Sequence, residues 1–174
     1  MKGLSLSIRM KKAGAAVVRV FRLMNNYFEL LQMPQEYDVD LEQLKTRYET
    51  VRGQIHPDRF ANKSDAEKRV AVQYSALLND AYQTLLSPVK RAVYLLKLGG
   101  QDLDLEHETI ADENFLVMQM QLRERIDAGE DVKSEIESNV KELTELLSQA
   151  FSSNQLEKAK FLTQKLQFFI KIKV

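Results

Sequence analysis

Apolar residues recur at helical spacing through most of this chain of 174 residues. The clearest stripe follows Asp40 at intervals of three or four positions and consists of Leu41, Leu44, Tyr48, Val51 and Ile55. Such intervals place side chains on one face of an α-helix, and this face is expected to point into a core. No segment shows the strict alternation of apolar and polar residues that is typical of a strand. The pattern therefore predicts an all-α protein.

Local signals place the ends of seven helices. Asp40 with Gln43, and Ser64 with Glu67, have the spacing of N-terminal capping pairs. Pro34, Ser87-Pro88, Gly99-Gly100 and Gly129 are expected to end or separate helices, because proline lacks an N–H group and glycine suits the end of a helix. The predicted helices cover about 26–32, 40–55, 65–86, 89–98, 112–128, 131–149 and 154–172.

The acidic stretch 101–109 divides the chain into two helical regions. Three helices with short connections follow it, and short connections favour antiparallel neighbours in a three-helix bundle. We predict a basic extension over 1–23, a four-helix domain over 24–99, a linker over 100–110 and the bundle over 111–174.

Composition excludes several classes of function. The chain has no cysteine, so it forms no disulfide, uses no catalytic thiol and offers no cysteine ligand to a metal. Its net charge is zero, but the charges are unevenly placed. Residues 1–23 carry six basic and no acidic side chains, whereas residues 24–174 carry 19 basic and 25 acidic ones. This acidic body does not favour nucleic-acid binding. No apolar run is long enough for a membrane span.

The basic first segment has three interpretations. It resembles a mitochondrial targeting segment in being basic and free of acids. As a signal peptide it would be poor, because Arg19 and Arg22 interrupt or closely follow its apolar stretch. We favour a third interpretation, an upstream extension with the functional start at Met24, directly before the first well-patterned helix.

His56-Pro57-Asp58 lies between two predicted helices. Pro57 disfavours helical backbone at His56, so the preceding helix is expected to stop there and leave an exposed docking loop. The simpler alternative is a connection in which Asp58 caps the next helix. A catalytic or metal-binding pair is disfavoured, because we expect Pro57 to turn the two side chains apart. The nearby basic residues form either a solvated face or a docking surface for an acidic partner: Lys45, Arg47, Arg52 and Arg59.

The helix that starts near 112 carries two apolar stripes, more than one core contact needs. At about 100° per residue, Phe115, Met118, Leu122 and Ile126 share one side. The nearly opposite side carries Leu116, Val117 and Met120, with Glu124 in line and Gln121 and Ala128 flanking. The second stripe is either covered by another helix or left open for a partner.

These residues together resemble the J-domain proteins. Four helices with His56-Pro57-Asp58 between the second and third match a J-domain, as do the segments 27–31, 75–85 and 91–96. The stretch 114–120 after the linker is similar to the bacterial HscB family of co-chaperones, over about residues 24–174. The resemblance implies an L-shaped all-α protein that acts in the cytoplasm, has no cofactor and is not an enzyme.

The family implies two protein partners. One is the DnaK-type chaperone HscA, whose ATPase would be stimulated through His56, Pro57 and Asp58 with electrostatic support from the four basic residues. The other is the iron–sulfur scaffold IscU, which would be delivered to HscA by the C-terminal bundle. Its matched contact positions are Leu116, Val117, Met120, Gln121, Glu124 and Phe168. The alternative is a general J-domain co-chaperone with an unrelated client.

Three positions depart from the family pattern. Gly53 stands where a longer or basic side chain is usual, which is expected to weaken the basic face or the end of the second helix. Gln121 and Ala128 replace frequent acids, so electrostatic attraction of the scaffold is expected to be weaker.

Overall fold

The computed structural model describes residues 26–60, 62, 64–108, 110 and 112–172, and these residues form helices and no strand. The all-α prediction is confirmed. A 3₁₀ turn, Pro57–Phe60, lies between the second and third helices. The α-helices are α1 (Tyr27–Leu31), α2 (Leu41–Ile55), α3 (Asp65–Leu86), α4 (Pro88–Leu98), α5 (Glu113–Asp127), α6 (Lys133–Ser152) and α7 (Leu156–Lys171). The basic extension predicted over 1–23 lies outside the described residues.

Helix starts follow the predicted capping residues. The Asp40 carboxylate accepts hydrogen bonds of 3.0 Å from the N–H groups of Glu42 and Gln43. Ser64 and Glu67 form the predicted reciprocal capping box. The end of α1 differs from the prediction, since Gln32 ends the helix in a left-handed conformation before Pro34 is reached. The Asp40 cap and the Ser64–Glu67 capping box thus depend on residues close in the sequence.

Contacts divide the chain into two compact units. Among the described residues, unit one comprises 26–35 together with those of 39–87, and within it α1 and α2 pack against α3. Tyr48 of α2 stacks on Tyr82 of α3 with ring centroids 4.2 Å apart. The fully buried side chains of this core include Phe28, Leu31, Leu44, Ile55, Leu78 and Leu85.

One member of the predicted α2 stripe does not enter the core. Leu41 is 48% exposed, whereas Leu44, Val51 and Ile55 are buried. Leu41 is the first helical residue after the Asp40 cap, and periodicity assigns it a face without showing whether a neighbouring element reaches that far.

Unit two comprises the described residues of 36–38 and 88–172. Helices α4 and α6 both pack against α7. The sequence assigned α4 to the first domain, but its contacts place it in unit two. The stretch predicted as a linker also buries Leu103 and Ile110. The deepest side chains of this core are Leu96, Val132, Leu147, Ala159, Thr163 and Leu166.

Among the described residues, no helix is long and apolar enough to cross a bilayer.

Candidate functional site

The first candidate surface is built at the end of α2. The helix ends at Ile55, and His56 takes up extended backbone with φ −55° and ψ 130°. This is the conformation that a residue before proline prefers. The chain then forms a 3₁₀ turn, where the sequence predicted only an exposed loop.

Several contacts hold this turn in place. The Arg59 guanidinium donates a hydrogen bond of 2.8 Å to the Gly53 carbonyl, and the Arg59 N–H donates one of 3.0 Å to the His56 carbonyl. The Ser75 hydroxyl on α3 lies 3.4 Å from the Ile55 carbonyl. Phe60 is buried in unit one. The last carbonyls of a helix have no partner within it, so these contacts both satisfy α2 and anchor the turn.

His56 and Asp58 approach each other across the turn. The His56 Nδ1 lies 3.4 Å from Asp58 Oδ2 and the same distance from the Asp58 N–H nitrogen. The expectation that Pro57 would turn these side chains apart was therefore wrong, because the 3₁₀ turn folds Asp58 back. Both distances exceed the 2.9–3.0 Å usual for such bonds, so neither contact fixes the ring firmly.

Asp58 does not act as a helix cap. Its side chain is 89% exposed, and Ser64 caps α3 instead. The interpretation of this tripeptide as a simple connection, in which Asp58 caps the next helix, is therefore not supported by the structure. A carboxylate held at the tip of an anchored turn is available to a partner.

Three of the predicted basic residues lie on α2, and the fourth lies in the turn. Lys45, Arg47, Arg52 and Arg59 are all exposed. Within the described residues, no carboxylate pairs with any of them. Arg59 differs from the other three because it anchors the turn, a role that its position in the sequence did not reveal.

The second candidate surface is on α5 in unit two. Phe115 and Leu122 are buried, whereas Leu116, Val117 and Met120 are 40%, 52% and 62% exposed. Gln121 and Glu124 are also exposed. Of the two alternatives for the second stripe, the structure therefore shows an open one.

Phe168 of α7 is fixed beside this stripe. Its ring meets those of Phe115 and Phe169 edge to face, with centroids 5.6 Å and 5.2 Å apart. The Arg123 guanidinium lies over the Phe168 ring, 5.7 Å from its centroid, in a cation–π contact. The sequence analysis missed Arg123, which stands between the two stripes and carries no motif. The open patch is defined here as Leu116, Val117, Met120, Gln121, Glu124 and Phe168.

An ion pair sets the position of α5 relative to α7. The Lys165 ammonium lies 2.9 Å from the Asp112 carboxylate, and its hydrogen bond holds the pKa of Asp112 below the ordinary range. Asp112 in turn accepts a hydrogen bond from the Phe115 N–H at the start of α5. Lys165 also lies 4.9 Å from the centroid of the Phe115 ring. These contacts help to place Leu116 and Phe168 on one surface.

Comparison with known proteins decides the family. The DnaJ domain model matches residues 26–94, and that of the HSCB C-terminal oligomerisation domain matches residues 111–174. A co-chaperone protein HscB homolog of Burkholderia thailandensis is 42% identical over 138 residues, which cover 79% of this chain and 76% of that one. The chain belongs to the HscB family of co-chaperones.

Two solved HscB structures share the fold. Human co-chaperone protein HscB superposes with a TM-score of 0.81 and 32% identity, covering 85% of this chain and 78% of that one. Chaperone HscB from Vibrio cholerae gives a TM-score of 0.77 and 33% identity, covering 84% and 92%. The chain is therefore a J-domain co-chaperone, and its J-domain implies a partner of the DnaK type.

Proposed function

We propose that this HscB-family protein stimulates the ATPase of the DnaK-type chaperone HscA and delivers the iron–sulfur scaffold IscU to it in the cytoplasm. The observation that carries the proposal is the presence on one chain of two exposed surfaces of different character. One is the anchored His56–Asp58 turn, and the other is the open patch of α5 and α7. The protein would act by binding and carry out no chemistry itself.

The geometry of the turn supports the chaperone contact. Arg59 and Phe60 hold the backbone in place, so little conformational entropy is lost when a partner binds. The exposed Asp58 carboxylate and the half-exposed His56 ring remain free of strong internal bonds. Lys45, Arg47 and Arg52, which form no ion pair with a described carboxylate, would speed encounter with an acidic surface of HscA.

The open patch supports the scaffold contact. Leu116, Val117 and Met120 give it an apolar centre, and methionine adapts readily to the shape of a partner. Gln121 and Glu124 supply polar groups at its margin. Fixed aromatic side chains such as Phe168 are frequent centres of binding energy in interfaces.

Two linked contacts would make delivery efficient. Binding of the scaffold to the patch raises its effective concentration at the chaperone when the turn docks, even if each contact is weak. Docking of the turn would favour the hydrolysis-competent state of the chaperone, since a ligand shifts an equilibrium by its differential affinity for the two states.

Steady-state ATP hydrolysis by HscA tests the proposal. The rate is measured alone, with this protein, with IscU and with both. We expect synergy between this protein and IscU, and we expect His56→Gln to abolish stimulation while IscU binding persists. Stimulation without synergy would leave the J-domain role and assign the patch to another client. An absence of stimulation would refute the proposed role of the turn.

A further inference from the structure

A groove lies beside the open patch, wholly within unit two. Its volume is about 230 Å³, and two members of the patch, Leu116 and Phe168, are part of its lining. The other lining residues are Leu105, Glu108, Ile110, Gln119, Gln164, Gln167 and Lys171. Part of the acidic stretch predicted as a linker therefore forms a wall of this groove.

The volume of the groove limits what can occupy it. Sites for drug-sized ligands and cofactors usually measure about 300–1,000 Å³, which is larger than this groove. A cavity of about 150 Å³ already accepts benzene. The groove therefore suits one large apolar or aromatic side chain better than a cofactor.

The lining of the groove has an apolar part and a polar part. Leu105, Ile110, Leu116 and Phe168 offer an apolar surface, and Ile110 is the most buried of them. Amide groups are supplied by the half-buried Gln119, Gln164 and Gln167. Such groups can bond to the backbone on either side of an inserted side chain.

The two charged residues of the groove are not equivalent. The Glu108 carboxylate lies 2.8 Å from the Lys160 ammonium, and this hydrogen bond lowers the pKa of Glu108. Lys171 is exposed and forms no ion pair with any described residue. The charge available to a partner is thus positive, which favours a carboxylate near the inserted side chain.

We infer that this groove is the anchor pocket of the scaffold contact, receiving one large apolar side chain of IscU with an acidic residue next to Lys171. The inference rests on the proposed function and deepens it. Continuity supports it, because Leu116 and Phe168 belong to both the open patch and the groove.

Filling the groove tests the inference directly. Gln167→Trp is expected to weaken binding of purified IscU at least tenfold in titration calorimetry, while stimulation of HscA without IscU stays unchanged. Lys158→Trp, on the exposed part of the same helix and outside the groove, is the matched control and is expected to bind normally.

Crosslinking provides a second measurement that does not depend on accommodating tryptophan. The chain has no cysteine, so Ile170→Cys, an exposed position next to Lys171 and outside the lining of the groove, gives a single site for a benzophenone label. Irradiation with IscU is expected to give an adduct on one IscU peptide, whereas labelled Lys158→Cys is expected to give none. If Gln167→Trp does not fold, the adduct supports the inference and its absence overturns it.

The outcomes separate the inference from the proposed function. If IscU fails to bind the unmodified protein, both are wrong. If IscU binds and Leu116→Ala with Phe168→Ala weakens binding, but Gln167→Trp binds normally and labelled Ile170→Cys gives no adduct, the open patch stands and only the anchor pocket is refuted.

Discussion

The guanidinium of Arg59 donates a hydrogen bond of 2.8 Å to the carbonyl oxygen of Gly53, six residues earlier in the chain. This contact links the 3₁₀ turn to the last turn of α2. It satisfies a carbonyl that the helix itself leaves without a partner. A residue predicted only to supply positive charge thus also helps to determine the shape of the His56–Asp58 turn.

Replacing Arg59 should loosen the turn. We expect Arg59→Ala to lower the free energy of unfolding of unit one by about 1 kcal/mol, as is typical for an exposed hydrogen bond, and to reduce stimulation of HscA. Hydrogen exchange of the amide at position 59, which bonds to His56, should become faster. Arg52→Ala is the control, because it removes a charge without this contact. Unchanged exchange in Arg59→Ala would contradict the anchoring role.

The open patch can be tested apart from the turn. We expect Leu116→Ala combined with Phe168→Ala to weaken IscU binding by about 2–4 kcal/mol, since truncation of central apolar and aromatic residues has effects of this size. Stimulation of HscA without IscU should not change. Leu98→Ala removes an exposed leucine elsewhere in unit two and should leave both properties intact. Normal IscU affinity in the double variant would show that the patch does not bind the scaffold.

Gly53 lowers the stability of α2 without a steric need for glycine. A Cβ atom built at this position meets no atom within 4 Å. We expect Gly53→Ala to raise the free energy of unfolding by about 0.5–1 kcal/mol, because alanine loses less conformational entropy in a helix. Denaturant unfolding measures the change.

Gly129 provides the matched control for this effect. Its φ of +80° requires the left-handed region, which alanine adopts only with strain. Gly129→Ala should therefore destabilise the protein, and a stability gain there would contradict the conformational explanation for both glycines.

Stability should fall at high pH because of Tyr37. This residue stacks on Phe151, and burial raises the pKa of its phenol to about 12 despite the opposing charge of Arg91. In the unfolded protein the pKa of this phenol is about 10. Below that pH the contribution of Tyr37 to stability is fully present, and it is lost as pH rises towards 12.

The measurement is the slope of the free energy of unfolding against pH between about 10 and 12. One proton contributes up to about 1.4 kcal/mol per pH unit. Tyr37→Phe should reduce this slope, because phenylalanine has no proton to lose. An identical slope in the variant would show that the Tyr37 phenol is not protected in the folded state.

Structural features that depend on residues close in sequence could be predicted from the sequence. The Ser64–Glu67 capping box, the end of α2 before Pro57 and the two stripes of α5 were all predicted correctly. Each depends on interactions within about four residues or on the fixed period of the helix. The HscB family could also be named from its motifs.

Tertiary structure alone decided which faces are covered and which distant groups meet. Periodicity assigned Leu41 to the core face of α2 and left the second stripe of α5 undecided, because it cannot show where neighbouring helices end. The placement of Arg123 over Phe168 and the groove containing Ile110 and Lys171 join residues that are more than 40 positions apart. The sequence by itself therefore determined the helices and their family, whereas long-range packing determined the shapes of the anchored turn and the open patch.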